Sequence, residues 1–556
     1  MMQSDENAVK VIREQEHASR LRVNFDSIWE QIARRILPHY SNQFTTQNRM
    51  APISQGQQRQ EEMVDATGAL ALTRFAAFNE SMLTPRNSTW HHVRPSNPAL
   101  MKSRNARLWF EELTRLLFQY RYAPKANYSS QKHEGYMMSG AFGTSVIFTD
   151  ALSNRYEKGL RYRCIHLAQN YFLENHQGVI DTNYRRFPLT ARQAVQQFGI
   201  DSVPEAIALD AKTPNKEEHE HWFIHKVAPR ADADYDPQRK DVMGMPYTEC
   251  YVSVTGQKTM REGGFFSFPY AISRYMTVPG ELYGRSPAMF ALPSLRTLNE
   301  IKKTMLKQGH RTVDPVLLAH DDGVLDSFSL RPGAINPGGV TADGKPLVHA
   351  LPIGNLQVGK EQADEERQTI NDFFLVSLFQ ILVENPRMTA TEVVERAREK
   401  GALLSPTMGR EQTESLAPQI EREIDLLTQQ RLLPPMPPEL LEAKGEYTIL
   451  YDSPLSRMAR AEEVSGLMRT VDYIKDVVAV TQNPEPLDYF DWDTIVPEMA
   501  DLQAVPVRWL KTMQGVKEMR DGRAQQAQTQ QMIQAAPAAG GLLKTVMPPP
   551  QAAPAG

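Results

Sequence analysis

The sequence has almost no cysteine and no long apolar segment. Cys164 and Cys250 are its two cysteines among 556 residues, which provides no disulfide framework and is typical of a reducing compartment such as a bacterial cytoplasm. Both thiols fall in segments predicted as strands, and we interpret them as structural. No apolar run approaches the roughly 20 residues that a membrane span requires. Residues 1–22 are charged, so we expect neither a transmembrane segment nor a signal peptide.

The sequence also lacks an excess of charge of either sign. Lysine and arginine number 62 against 66 aspartate and glutamate, for a net charge of −4, and the isoelectric point is about 6.4. This balance argues against a protein whose main task is to grip nucleic acid tightly. The hydrophobic share of 41% is ordinary for a globular protein, and the length predicts several domains.

Nucleotide and calcium motifs are missing as well. Pro346 follows Gly344-Lys345 where a phosphate-binding loop needs Ser or Thr, so a P-loop ATPase is not expected. Residues 232–236 resemble the opening of a calcium loop, but Pro237 and Met243 occupy the positions that need Gly and Glu. We interpret this segment as a solvated turn.

Histidines on a predicted strand are the remaining candidate metal ligands. His219, His221 and His225 alternate along the chain beside Glu218 and Glu220, and alternate strand residues share a face. No cysteine or further histidine lies nearby, so an ordinary polar strand is favoured, and the pair at residues 91–92 is interpreted in the same way. No Ser/His/Asp motif is local, although a dispersed triad is not visible in one sequence. We therefore predict no catalytic residue, no cofactor and no metal.

Two helical patterns joined by a Gly/Pro-rich insert organise the middle of the chain. The first begins at Ser286, which is placed to cap the helix, with Pro287 at the first helical position; Pro293 should kink or restart it. Its outer half is basic, through Lys302, Lys303, Lys307 and Arg311. A basic helix face is usually just solvated, but these residues could instead meet an acidic helix of a neighbouring subunit or contact phosphates.

The second helical pattern spans about 357–383 and changes character along its length. Its first half is acidic, and residues 373–383 are apolar except for Ser377 and Gln380. That run is too short to cross a bilayer, so it should be buried against protein, either its own chain or a neighbour's. Pro386 then breaks the pattern, and a new helix is predicted from Thr389 or Thr391.

The rest of the chain reads as α+β and mostly helical. Helices are predicted at 9–37, 65–84, 105–120, 190–198, 414–433, 457–480 and 505–519. Strands are predicted at 144–149, 160–167, 171–174, 178–184, 221–228, 249–255, 265–275, 315–319 and 447–451. After Asp521 the composition is rich in Gln, Ala, Pro and Gly, which predicts disorder.

Several short motifs together resemble a known family. They are Tyr283-Gly284-Arg285-Ser286-Pro287-Ala288, Ala291-Leu292-Pro293 with Thr297-Leu298-Asn299, Met388-Thr389-Ala390-Thr391-Glu392-Val393, Met82-Leu83-Thr84-Pro85 running to Trp90, and Leu189-Thr190-Ala191-Arg192-Gln193 with Phe198-Gly199. In this order, over residues 20 to 460, they resemble the portal, or head-to-tail connecting, proteins of short-tailed, T7-like bacteriophages.

The resemblance implies a portal-type subunit and its parts. These are a wing (1–285), a two-helix stem (286–311 and 357–383), a small α/β clip (312–356), a channel loop (384–390), a long helix returning to the wing (391–450), a helical crown (451–520) and a disordered tail (521–556). The implied protein is structural and forms a twelve-subunit ring at a capsid vertex of the virion, after assembly in the host cytoplasm. Double-stranded DNA would pass through the ring during packaging and ejection.

The same resemblance implies site residues and partners. The DNA channel would include Lys302, Lys303, Lys307, Arg311, Asn385, Arg387 and Met388, and the subunit interface, or the layer just beneath it, Phe373, Phe374, Leu378 and Phe379. Partners would be the major capsid and scaffolding proteins, the terminase large subunit and tail adaptor proteins, with no membrane. Two alternatives stay open: a DNA-processing enzyme such as a terminase or nuclease subunit, and another virion tail or internal protein.

Overall fold

A computed structural model gives the fold of the chain. It describes residues 5–45, 56, 62–97, 99–152, 157–319, 329–351, 356–376, 408–442 and 445–452, with short segments between 466 and 526. The chain divides into two compact units. The first comprises 1–91, 116–433 and 451–459, and the second comprises 92–115, 434–450 and 460–556.

Helices make up the larger share of the regular structure. They are α1 (Glu6–Arg20), α2 (Val23–Ile36), α3 (Thr67–Leu83), α4 (Arg104–Arg121), α5 (Tyr128–Phe142), α6 (Ala191–Phe198), α7 (Glu205–Lys212), α8 (Pro287–Val313), α9 (Leu356–Phe373), α10 (Ala417–Gln429) and α11 (Pro438–Glu442). A π-helical turn, Gln412–Leu416, leads into α10. No helix in the described part of the chain is both long and apolar enough to cross a membrane.

The single helix predicted at 9–37 is two helices, so that prediction was wrong. α1 and α2 are separated at Leu21 and Arg22. The guanidinium of Arg22 is fully buried and donates hydrogen bonds to the carbonyls of Leu167 at 2.8 Å and Asn170 at 2.5 Å. These distant partners fix the break, and they are invisible to local periodicity.

Most strands form two antiparallel sheets in the first unit. The strands are β1 (His91–Pro95), β2 (Thr144–Ala151), β3 (Leu160–Cys164), β4 (Asn170–Glu174), β5 (Ile180–Thr190), β6 (Glu220–Pro229), β7 (Tyr247–Ser253), β8 (Lys258–Phe265), β9 (Tyr270–Arg274), β10 (Leu317–Ala319), β11 (Val348–Ala350) and β12 (Tyr447–Tyr451). One sheet has the order β4-β5-β6-β7-β8 and the other β3-β2-β9. Cys164 and Cys250 lie on β3 and β7, as predicted.

The segment predicted as one strand at 265–275 belongs to both sheets. β8 ends at Phe265 in the five-stranded sheet, and β9 begins at Tyr270 in the three-stranded sheet. Pro269 lies between them and has no backbone N–H to donate to a ladder. The chain therefore changes sheets at a point that the hydrophobic pattern alone does not mark.

Two helices that precede or interrupt the sheet strands, α5 and α7, were not predicted from the sequence. α5 buries residues all around its axis, including Lys132, Gly135, Tyr136 and Ser139, so it shows no single apolar stripe. α7 is eight residues long, as α6 is, but no side chain caps its start. By contrast α6 was predicted, and the Thr190 side chain and the Gln193 side chain cap its start reciprocally.

The main core gathers around α2, α3, α5, α8 and the two sheets. Its largest fully buried members include Trp29, Phe142, Phe172 and Tyr283. In the second unit, β1 pairs with β12, and the Trp109 indole N–H donates to the Pro434 carbonyl at 3.2 Å. The chain is thus α+β, with helices dominant, as the sequence indicated.

Candidate functional site

The start of α8 is held by a close contact between two glycines. A Cβ on Gly284 would lie 2.2 Å from the carbonyl oxygen of Gly143, and one on Gly143 would lie 2.3 Å from that of Gly284. Gly143 also has a φ of +78°, a region that favours glycine. The Gly284 amide donates to the Thr144 hydroxyl at 3.0 Å. This contact explains why the motif that begins α8 contains a glycine.

Neighbouring residues of the same motif cap and anchor the helix. The Ser286 hydroxyl accepts from the Met289 amide at 3.0 Å and donates to the Ala141 carbonyl at 2.8 Å, which confirms Ser286 as the N-cap. Tyr283 is buried, with its ring centroid 4.7 Å from that of Phe172. The base of α8 is therefore fixed to the body of the first unit.

α8 runs without a break from Pro287 to Val313, so of the kink or restart predicted at Pro293 the restart does not occur. One face of its first half is buried. There the Asn299 side-chain oxygen accepts from the amides of Val64 at 3.0 Å and Asp65 at 3.1 Å. These bonds satisfy the two backbone N–H groups just before α3, and they connect that segment to α8.

α9 pairs with α8 in antiparallel fashion. Near one end, the rings of Phe290 and Phe373 stack with centroids 6.5 Å apart. Near the other, a Cβ on Gly359 would lie 3.3 Å from Met305 Cγ. The contacts span about 15 residues of each helix, which is roughly 22 Å at 1.5 Å per residue. The two helices form an extended hairpin rather than lying apart.

Arg367 anchors α9 to the body. Its guanidinium donates to Asp65 at 2.7 Å and to Asp364 at 2.8 Å. Burial alone would raise the pKa of the Asp65 carboxyl, but hydrogen bonds from Thr67 and Arg367 lower the pKa below its ordinary value of 3.8. The carboxylate is therefore ionised at neutral pH and holds both α3 and α9.

The outer half of α8 is basic and open. Lys307 and Arg311 are exposed, Lys302 is half-buried, and none of the three forms an ion pair with another described residue. Lys303 pairs with Glu300 at 2.8 Å on the same helix. These predicted channel residues thus share the outer half of α8, and the described residues leave a net positive charge there uncompensated.

α9 presents the opposite charge. Between 357 and 373 it has five acidic residues against two basic ones. Glu361 and Glu365 are exposed, and neither forms an ion pair with another described residue. No ion pair joins α8 to α9 among the described residues, so the hairpin has a basic face and an acidic face that remain available to other molecules.

The apolar end of α9 divides into a buried and an exposed part. Phe374 is fully buried in its own chain, with its ring centroid 6.2 Å from that of Phe75, so it supports a surface rather than forming one. Phe373 is 40% exposed. The helix ends here, before the predicted residue 383, and Leu375 has a φ of +58°. Leu378, Phe379, Asn385, Arg387 and Met388 lie outside the described residues.

The lobe between the two helices contains a short antiparallel pair, β10 and β11. No helix occurs in its described residues, 314–319 and 329–351, whereas an α/β lobe was expected. Large apolar side chains are exposed here and on the helix ends beside it: Val313, Val316, Leu318, Leu330, Ile335, Val340, Leu351 and Val358. A concentration of exposed apolar residues indicates a contact surface.

α10 is fixed by buried ion pairs that local sequence does not reveal. Glu423 and Arg121 are both fully buried and directly bonded, and the Tyr162 hydroxyl donates to Glu423 at 2.7 Å. Just before α10, Lys132 donates to Glu411 at 2.7 Å and to Ser415 at 2.8 Å. The described chain resumes at residue 408, and these pairs fix it to α4, α5 and β3 soon after that point.

An anchored helical hairpin with open faces of opposite charge suits a subunit that assembles head to tail with further copies. Comparison with known proteins gives the family. The profile described as "Bacteriophage head to tail connecting protein" matches residues 9–510. The chain belongs to this family, which confirms the resemblance noted in its sequence to the portal proteins of short-tailed phages.

Two relatives support the assignment over nearly the whole chain. The "Probable portal protein" of Bordetella phage BPP-1 is 28% identical over 520 residues, covering 92% of this chain and 90% of that protein. The "Portal protein" of Salmonella phage epsilon15 is 26% identical over 535 residues, covering 94% and 92%.

Proposed function

We propose that the chain is the portal subunit of a short-tailed phage and forms a closed ring through which double-stranded DNA enters and leaves the capsid. Residues 1–285 would be the wing, α8 and α9 the stem, the lobe between them the clip, and residues 384–390 a loop narrowing the channel. The crown would follow at 451–520. Family membership supports the connector role, and the geometry of the hairpin supports the division into parts.

The separation of charge on the stem carries this proposal. A ring requires head-to-tail interfaces, in which one face of a subunit meets a different face of the next. The basic outer half of α8 and the acidic first half of α9 are two such faces, and no ion pair joins them within the described chain. On each face some charges, such as Lys307 and Glu361, form no ion pair with a described residue. Opposite charges on the two sides of one rod favour closure with copies of itself.

The exposed apolar residues of the clip support a docking role. Val313, Leu330 and Ile335 are each more than 70% exposed, which is costly for a surface that faces only water. We assign this surface to the terminase large subunit during packaging and to tail adaptor proteins afterwards. The wing would contact the major capsid and scaffolding proteins.

Few contacts to DNA are expected along the channel. Each phosphate contact steepens the salt dependence of binding, with a slope of about 0.9 per contact, and a tightly gripped duplex does not slide. The net charge of −4 agrees with a weak grip. Those α8 cations that do not face a neighbour's acidic helix, together with Asn385, Arg387 and Met388, would supply the contacts.

Imaging of the purified particle tests the proposal. Negative-stain images viewed along the symmetry axis should show an annulus with a central hole, and mass measurement should give an integral multiple of the chain, twelve by analogy with the family. A monodisperse monomer under packaging conditions, or a compact particle without a hole, would refute it.

Charge variants test the interface. The double variant Glu361→Gln with Glu365→Gln should form rings that dissociate at lower salt than the wild type, because the acidic face is weakened. Glu205→Gln removes an exposed carboxylate from α7 in the wing and should leave the salt sensitivity unchanged. Equal behaviour of the two variants in sedimentation against salt would contradict the assignment of these faces.

A further inference from the structure

A cluster of three potential metal ligands lies at one end of the five-stranded sheet. His219 Nδ1 and His221 Nε2 each lie 3.0 Å from the same oxygen, Oδ2 of Asp210. All three ligand atoms are within 4.8 Å of one another. The sequence had grouped His219 and His221 with His225, but His225 is bonded to the Tyr270 hydroxyl at 2.6 Å. Asp210 replaces it, from the last turn of α7.

The spacing of these atoms is close to that of a metal site. Two ligands that bind Zn²⁺ at 2.0 to 2.1 Å in tetrahedral geometry are about 3.3 Å apart. The observed separations of 3.0 Å from the carboxylate oxygen to each imidazole are therefore nearly edges of such a tetrahedron. A small outward movement would admit an ion, and the two rings already lie at 74° to each other.

The backbone around the cluster is fixed before any ion binds. The His219 amide donates to the Lys216 carbonyl, and the His219 carbonyl accepts from the Ala191 amide, both at 3.0 Å. His221 lies in β6, paired with Leu189 of β5. A series of turns thus joins α7 to β6 with the ligands pre-positioned, which lowers the entropic cost of binding.

Asp210 lies where the negative charge of its carboxylate is unfavourable unless a positive charge is close to it. The C-terminal end of a helix carries partial negative charge, so an acidic residue in the last turn is unfavourable there. A bound cation would stabilise both the carboxylate and the end of the helix.

We propose that Asp210, His219 and His221 bind a divalent transition-metal ion, with water completing the coordination. Two imidazoles and one carboxylate suit Zn²⁺, and the same donors accept Co²⁺ and Ni²⁺, whereas Mg²⁺ and Ca²⁺ prefer oxygen ligands alone. The ion would clamp α7 to β6 within the first unit. This proposal does not depend on the portal function.

Zinc binding to the full-length protein tests the proposed metal site. Calorimetric titration of chelator-treated protein with ZnCl₂ should show one ion per chain, and the affinity should fall by at least about tenfold in His219→Ala. His219 is 66% exposed, so its removal should leave the fold intact, whereas His221 is nearly buried. His219→Gln provides a second variant that retains a polar side chain. Retention of the circular dichroism spectrum and of the assembly state would verify folding.

Two controls separate this site from adventitious surface binding. His176→Ala removes another exposed histidine, from the turn that joins β4 to β5, and should leave the zinc affinity unchanged. Co²⁺ should give visible absorption in the wild type that His219→Ala and Asp210→Asn both lose. Unchanged zinc affinity in folded His219→Ala, or an equal loss in His176→Ala, would overturn the proposal.

Discussion

Replacement of Glu423 by glutamine should destabilise the first unit strongly, because the buried Arg121 guanidinium loses the carboxylate that compensates its charge. The Arg121 guanidinium is fully buried and donates to both carboxylate oxygens of Glu423. Burial alone would lower the pKa of Arg121, but the adjacent carboxylate more than offsets this and raises it. In Glu423→Gln the shape is retained, while the charge that compensates Arg121 is lost.

The size of the effect follows from the burial of the pair. Removing one partner of a fully buried ion pair costs about 3–5 kcal/mol. The first unit spans about 400 residues, and unfolding entropy near 2 cal/mol/K per residue converts that cost to a fall in melting temperature of roughly 3 to 6 °C. His91 Nε2, 2.8 Å from Arg121, is neutral or positively charged and does not replace the carboxylate.

Thermal unfolding of matched variants measures this fall in melting temperature. Glu112→Gln removes the partner of Arg115 from a surface pair in which the side chains are 43% and 54% exposed, and it should cost about 0–1 kcal/mol. The double variant Arg121→Met with Glu423→Leu removes both buried charges and should be more stable than Glu423→Gln alone. If Glu423→Gln melts within 1 °C of the wild type, or below it by no more than Glu112→Gln does, the reasoning is wrong.

Other predictions concern the hairpin and its base. Gly284→Ala places a Cβ 2.2 Å from a backbone oxygen and should lower stability by about 1–3 kcal/mol or more, whereas Gly309→Ala, in open space within α8, should raise it by roughly 0.5–1 kcal/mol; chemical unfolding compares them. Phe373→Asp should yield folded chains that assemble poorly in sizing chromatography, whereas Phe374→Asp should unfold them, and normal rings from both would contradict the assignment. Folding lowers the pKa of Asp65, so the ionised side chain contributes its full stabilisation at pH values above its ordinary pKa of 3.8, and this contribution is lost as the pH falls further. The melting temperatures of wild type and Asp65→Asn should therefore converge in acid.

Local signals predicted those elements whose determinants lie within a few residues of each other. The Ser286 hydroxyl caps its own helix three residues on, and the Thr190 and Gln193 side chains form a reciprocal cap. The strand at 447–451 agrees with its prediction residue for residue. Both helix caps depend on contacts of short sequence separation, which a single sequence displays directly, and the strand is marked by its own residue types.

The determinants that were missed are contacts between distant residues. Arg22 breaks the first helix through carbonyls about 145 residues away, and Glu423 meets Arg121 across about 300 residues. The aspartate that joins His219 and His221 comes from α7, a short helix whose start has no side-chain cap to mark it. Neither spacing nor periodicity encodes such pairs, because the partner is chosen by the tertiary fold. The channel-loop residues stay a prediction.

In the proposed ring, the hairpin would resolve a conflict that any protein conduit for DNA faces. A ring needs strong electrostatic complementarity between subunits, yet a wall of unpaired cations would bind the duplex and stop it. If the basic face of each α8 meets the acidic face of a neighbour's α9, most of the positive charge is neutralised within the wall itself. The assembly then gains specificity from the charges that would otherwise hold the DNA. On this argument salt acts in opposite directions, weakening the ring while easing the remaining phosphate contacts, so packaging should be fastest at an intermediate ionic strength.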